Sequence, residues 1–260
     1  MTTLTLDRLS ALLQGLAPRV SLSPAPKGLG LHILVNAALN DAALALSDMV
    51  LWVTPPLRGL SDVSPPIPEP GYRIWMSFEV VLDGPVAPIF LAEFLMPVQI
   101  DLASADASLA QIVKLIASEM TVSRCGQPLM MDRAGDILLI GMLRHLISQP
   151  ERTTGLFTAL ADPRIAKSLV AMHANASKAW SLESLADLAG MSRTSFATRF
   201  KRLMQLSPGK YLENLRFVLA HRLVTQGVGL KKAAKATGYA SSSTLSRAMS
   251  RNNRLQFKTE

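Results

Sequence analysis

The sequence is that of an α+β protein, in which a β-rich N-terminal region with a helical tail precedes an all-α C-terminal region holding two helix–turn–helix motifs. Three observations carry this. Short β-like runs between Gly28 and Ile100 are separated by prolines and glycines. After Asp101, apolar residues recur every three or four positions. From residue 161 onward a pattern of short helix, tight turn and second helix occurs twice. A chain of 260 residues with 49% apolar and 18% charged content is too long and too apolar for a disordered tail. It fits a first domain over 1–148, a linker over 149–161 and a second domain over 162–260.

The β-like runs are LHILV from Leu31, LALSDMVLWV from Leu44, YRIWMSFEVVL from Tyr72 and PIFLAEFL from Pro88. Pro55, Pro56, Pro65, Pro66, Pro68, Pro70 and Gly71 interrupt ladder pairing, as in a small antiparallel barrel or sandwich. Trp52, Trp75, Tyr72 and Phe78 are the side chains that could line an interior for a small molecule. They serve equally as plain core, since an antiparallel sheet must bury one face. Two amphipathic helices follow, one with Leu109, Ile112, Val113, Ile116 and Met120 inward and one from Leu129 to Ile147. Their apolar stripes would be buried on the chain's own sheet or across the two-fold axis of a homodimer.

Several functions are disfavoured. A single cysteine, Cys125, forms no internal disulfide, and no Cys/His cluster has zinc-ligand spacing. His32 is the one histidine of the β-rich stretch, too few for a metal site. No paired carboxylates or nucleophile–base set appears, so neither catalysis nor a cofactor is expected. Leu9, Leu12, Leu13 and Leu16 form an amphipathic helix, but Asp7 and Arg8 fall where a signal peptide needs its apolar core. The stretch from Ile137 to Leu143 is bounded by Asp136 and Arg144 and is far short of the ~20 residues that cross a bilayer. A cytoplasmic protein without a membrane partner is expected.

Charge is divided unevenly. Residues 1–160 carry 10 basic and 14 acidic side chains, whereas residues 161–260 carry 17 and 5. The back half is therefore the part suited to a polyanion. Asp162 and Pro163 open a helix with Ile165, Leu169, Val170 and Met172 inward. Ser181 caps a short helix bearing Leu182, Leu185, Ala186 and Ala189 on one face, and Gly190 supplies the left-handed residue that ends it. Ser192 caps the next helix, with Phe196, Phe200 and Leu203 inward. Pro208 opens a long helix striped with Leu212, Leu215, Leu219 and Leu223, a rigid spacer. Leu230, Ala233, Ala234 and Thr237 then form a short helix, Gly238 and Tyr239 turn, and Ser241 caps a helix with Leu245 and Met249 inward. Such helices fit a major groove about 12 Å wide, and two of them could enter successive grooves ~34 Å apart on double-stranded DNA.

At these residues the chain resembles the AraC/XylS family of transcription regulators. The match lies in Met172, His173 and Trp180, in LExLAxxAGMSRxxFxxRF from Leu182 to Phe200, in SPxxYLxxxR from Ser207 to Arg216, and in GYxSxxxLSRAxxR from Gly238 to Arg251. The front half is similar, more weakly, to cupin-type sensor domains. The resemblance implies a transcription regulator that binds DNA as a dimer and answers a small-molecule effector through its front domain. It implies DNA contacts from Arg193, Thr194, Ala197, Thr198 and Arg199 in the first motif and from Ser242, Ser243, Thr244 and Arg247 in the second. Two departures stand out. The front half has Ser47, Asp48 and Arg58 where many cupin-type sensors have a Gly-Asp turn and a second histidine. After the second motif, RNNRLQFKTE stands where the family has a GxSPxxYR segment, and Leu245 and Met249 replace large aromatics. The second motif should therefore have the weaker core, and the alternative function is a dimerising regulatory protein that binds DNA poorly.

Overall fold

The computed structural model describes residues 8–41, 44–56, 71–121, 124–150 and 153–256, with side chains described through residue 251. Arg58, the prolines between 65 and 70, and the last four residues lie outside the described residues. The chain divides into two compact units, one of Ala17–Asp83 and Phe90–Gln149, the other of Met1–Leu16, Gly84–Ile89 and Pro150–Glu260.

Helix α1 (Arg8–Leu16) leads into strand β1 (Pro18–Leu22), followed by β2 (Leu29–Asn36), β3 (Met49–Thr54) and β4 (Tyr72–Leu82). A short helix α2 (Ala87–Leu91) precedes β5 (Val98–Asp101), and α3 (Ala107–Thr121) and α4 (Gln127–Ser148) complete this part. The strands form one antiparallel sheet in the order β1-β4-β2-β3-β5. Beyond it come α5 (Leu156–Ala161), α6 (Pro163–Ala174), α7 (Leu182–Ala189), α8 (Arg193–Met204), α9 (Pro208–Thr225), α10 (Leu230–Thr237) and α11 (Ser242–Gln256).

Register separates the two faces of the sheet. Leu31 stands opposite Phe78 and Val53, so these three share a face. Helix α4 lies over that face at Gly135, where an added Cβ would meet the Phe78 ring at 2.7 Å and a Val20 methyl at 2.8 Å. His32, opposite Ser77 and Trp52, points to the other face. The expected lining residues therefore do not converge: Trp52 packs with Leu34, Val50, Tyr72 and Ile74, while Phe78 lies on the opposite side. His32 bonds Ser77 Oγ through Nδ1 at 2.8 Å and Thr54 Oγ1 through Nε2 at 3.0 Å, with the Trp52 ring 5.4 Å away. Both ring nitrogens are thus occupied by hydroxyls. Among the described residues, no group of three His, Cys, Asp or Glu side chains could hold a metal ion. Among them, too, no helix is long and apolar enough to cross a membrane.

Several sequence expectations need correction. PIFLAEFL is not a strand: it forms α2 and a following turn, with Phe90 and Phe94 buried and their rings 5.1 Å apart at helical spacing. The run from Leu44 becomes extended only at Met49, because the Asp48 carboxylate accepts the Ala45 N–H and closes a tight turn. Met120 is 43% exposed rather than inward. Helix α1, residues 8–16, joins the helical unit instead of the sheet. Leu12 and Leu16 are buried, and Arg8 donates to the carbonyls of Leu160 at 2.6 Å and Ala161 at 3.2 Å. Gly84 fits because a Cβ there would collide with the Gly15 carbonyl at 2.1 Å. Within the expected linker, residues 156–161 form α5, which buries Leu156, Ala159 and Leu160.

Two outcomes follow. Gly135→Val should destabilise the sheet unit by about 1–3 kcal/mol, read as a lower urea midpoint, because neither Phe78 nor Val20 has room to retreat. Burial pushes the His32 imidazole down to about 4. The unfolded chain therefore binds the extra proton first, so stability is complete above about pH 6.5 and declines as pH falls toward 4. Urea melts at pH 7 and pH 5 should show a smaller loss in His32→Gln than in the parent.

Candidate nucleic-acid interface

The first helix–turn–helix is α7 and α8. The Ser181 hydroxyl accepts the Ser184 N–H at 3.0 Å, and Gly190, at φ +62°, ends α7 with its N–H bonded to α7 carbonyls. The Ser192 hydroxyl then accepts the Ser195 N–H at 3.3 Å and starts α8. Two side chains hold α8 to the body: Phe196 and Phe200 are wholly buried, with rings 5.7 Å apart. Phe200 meets the edge of Tyr211 at 5.7 Å, and the Tyr211 hydroxyl lies 2.5 Å from His173 Nε2. Burial pushes His173 down to about 4, so at neutral pH its ring is uncharged, and Nε2 and the Tyr211 hydroxyl share a hydrogen bond. Leu203 is half-buried, and Leu182, expected inward on α7, is 42% exposed.

On the outward side, Arg193, Thr194 and Thr198 are exposed and Ala197 is half-buried. Neither threonine is walled in by the chain. Arg199 differs, because its Nε donates to the Asp162 carboxylate. Asp162 is buried at the start of α6, where Oδ1 also accepts the N–H groups of Arg164 at 3.0 Å and Ile165 at 3.2 Å. Burial alone would raise this carboxyl, but the Arg199 bond, the two backbone donors and the guanidinium charge outweigh it and hold it below the usual range. Asp162 was legible as a cap; its second partner was not, because it lies 37 residues away.

The second helix–turn–helix is α10 and α11. Gly238, at φ +78°, ends α10, and the Ser241 hydroxyl accepts the Thr244 N–H at 3.2 Å. The fully buried core is small, consisting of Ala220, Ala233, Ala234 and Leu245, with Leu223, Val224, Val228, Tyr239 and Met249 packed around it. Leu230, expected inward, is 39% exposed. Ser243 and Arg247 are exposed, and Ser242 and Thr244 are half-buried. The hydroxyls of Ser243 and Thr244 both engage Ser241, at 2.8 and 2.9 Å. Arg247, though exposed, leans back on the Ser243 carbonyl through Nε at 3.4 Å. Together with Thr244, Ser250 and Arg251 it lines an open concavity of about 440 Å³.

Asp162→Ala should lower stability by about 1–2 kcal/mol in thermal unfolding, since it removes a helix cap. Asp162→Asn, which can still accept from the backbone, should lose less. Equal losses would mean that the Arg199 pair, not the cap, supplies the stabilisation.

Comparison with known proteins matches a helix-turn-helix domain to residues 185–256 and a cupin domain to residues 77–148. An AraC-like transcription regulator of Streptomyces lividans is 35% identical over 138 residues, 52% of this chain and 45% of the relative. The HTH-type transcriptional regulator AlkR of Acinetobacter baylyi is 34% identical over 137 residues, 52% of this chain and 45% of the relative. The chain therefore spans about half the length of these relatives. A crystal structure of ToxT from Vibrio cholerae O395 is 10% identical and covers 90% of this chain and 88% of that one, at a TM-score of 0.37, too slight a likeness to bear on function. The chain thus carries regions matching a cupin domain and a helix-turn-helix domain, and it is similar to AraC-like transcription regulators.

Proposed function

We propose that the protein is a sequence-specific, double-stranded-DNA-binding transcription regulator of the cytoplasm, acting as a homodimer and responding to a small-molecule effector through its N-terminal region. Catalysis has no part in this reading. The observation that carries it is the exposure of Thr194 and Thr198 on a serine-capped helix in the half of the chain with 17 basic and 5 acidic residues. A helix anchored on one face by two phenylalanines presents its polar face to a groove, and the surrounding cations supply affinity by releasing counterions. Thr and Ser hydroxyls make short, adaptable bonds to base edges and the Ala197 methyl suits a thymine, while Arg247 has the reach and fork for guanine. Arg199 is assigned a supporting role, since its guanidinium is engaged by Asp162. The apolar side chains left exposed on α3 and α4, Leu115, Met120, Leu129, Met130 and Ile137, are the surface assigned to the second copy.

Selection of bound duplexes from a random pool by the purified protein should yield a defined sequence whose affinity falls steeply with salt. Recovery of random sequence, with a dimer retained in solution, would favour a regulatory protein that works through protein contacts. On the selected duplex, Arg247→Ala should weaken binding by about 1–3 kcal/mol and relax one base position. A loss spread evenly over all sequences would place Arg247 on a phosphate instead.

A further inference from the structure

The two helix–turn–helix motifs are joined in sequence by α9, but they also meet through space. The 175–180 loop, which leads into α7, is ordered by its own bonds. The Trp180 indole donates to the Asn175 carbonyl at 2.9 Å, Asn175 Oδ1 accepts from the Ser177 hydroxyl at 2.9 Å and the Lys178 N–H at 3.1 Å, and the Lys178 ammonium sits 4.1 Å over the Trp180 ring. From the middle of α9, Arg216 grips this loop, with Nε donating to the Ala176 carbonyl at 2.8 Å and a terminal amine to the Lys178 carbonyl at 2.8 Å. The far side of that same clasp is the turn of the second motif. A Cβ on Gly238 would stand 2.9 Å from the Ser177 carbonyl, 3.0 Å from Ser177 Cα and 3.1 Å from Arg216 Cζ.

We propose that Arg216 is a positioning residue that clasps the entrance of the first motif to the turn of the second, fixing the distance and angle between α8 and α11 and hence the spacing between the two DNA sequences read. This rests on the DNA-binding reading for its purpose, although not for its geometry. The guanidinium suits the task because its planar fork satisfies two carbonyls at once, which an ammonium on a flexible stem does not. Apolar packing thins along the second half of the α9 stripe, where Leu219 and Leu223 are only half-buried. Gly238 is required at this point for two reasons, its left-handed φ of +78° and the space Ser177 occupies.

Two measurements on the full chain test this. In a Cys125→Ser background, spin labels at Lys201→Cys and Lys235→Cys, both exposed positions on different motifs, report the distance between them. The parent should give one narrow distance, and Arg216→Ala should lose it in favour of a broad distribution. Should Arg216→Ala fail to fold, Arg216→Lys keeps stem and charge without the fork and carries the same comparison. On a duplex selected by the parent, one inserted base pair turns the second site by roughly 34° and should cost the parent roughly tenfold in affinity but the variant under about threefold. Unchanged distance width, or a variant as strict about spacing as the parent, overturns the assignment. Broadened distances with no duplex ever selected by the parent would uphold the clasp and reject DNA binding, because the label distances need no DNA.

Discussion

A helix offered to an outside partner must keep most of its surface in water and still hold one orientation. In α8 this conflict is resolved by Phe196 and Phe200, which are its only fully buried side chains. Each ring carries far more apolar area than an aliphatic residue on so narrow a footing, and the tilted contact between them and the edge-on contact of Phe200 with Tyr211 add direction to area. The footing also contains a polar pair, His173 and Tyr211, whose shared hydrogen bond offsets the cost of burying the tyrosine hydroxyl. What Thr194 and Thr198 present depends on these four rings more than on anything in the turn.

The second motif repeats the layout with less apolar material. Leu245 takes the place of a phenylalanine, and the facing helix supplies only Ala233 and Ala234. The core is completed from outside, by Ala220, Leu223 and Val224 of α9 and by Val228 and Tyr239 of the flanking turns. Such a core is legible as weak from sequence, since alanines bury little area. Polar bonds make up part of the difference. The Thr237 hydroxyl returns to the Ala233 carbonyl at 2.8 Å, and the clasp of Arg216 ties the 175–180 loop beside the turn at Gly238. The turn of the smaller motif thus lies against the loop that enters the larger one, which makes its orientation a property of the pair.

Local chemistry was readable and long-range pairing was not. Caps at Asp162, Ser181, Ser192 and Ser241 follow from side chains that accept N–H groups two or three residues ahead, and all four are observed. The inward phenylalanines follow from helical period. Leu182 and Leu230 do not obey it, because both stand first in their helices, where the neighbouring helix no longer covers them. Strands β1 and β5, of 5 and 4 residues, are too short to show alternation. The run from Pro88 is ambiguous in sequence because Phe90 and Phe94 satisfy a strand's alternation as well as a helix's i, i+4 spacing. Among site residues, Arg193, Thr194 and Thr198 lie on the exposed side expected of them. Arg199 and Arg216 have engagements that sequence spacing cannot reveal, since their partners lie 37 and about 40 positions away.

Those engagements alter the electrostatics as well as the packing. Formal charge treats every cation of the back half as equally available, yet Arg199 is held against a buried carboxylate and Arg216 is turned toward two carbonyls. Lys210 pairs with Glu213 at 3.0 Å, although both are exposed and water screens that pair heavily. The outward cations are unevenly placed: Arg164 and Lys167 on α6, Arg193, Lys201 and Arg202 on α8, Lys231, Lys232 and Lys235 on α10, and Arg247 and Arg251 on α11 are all exposed. Most of these cations lie on the helices of the two motifs, which concentrates positive charge there. Counterion release counts only cations that reach phosphates, so the salt dependence of binding must reflect this outward set and fall short of the net charge of the half-chain.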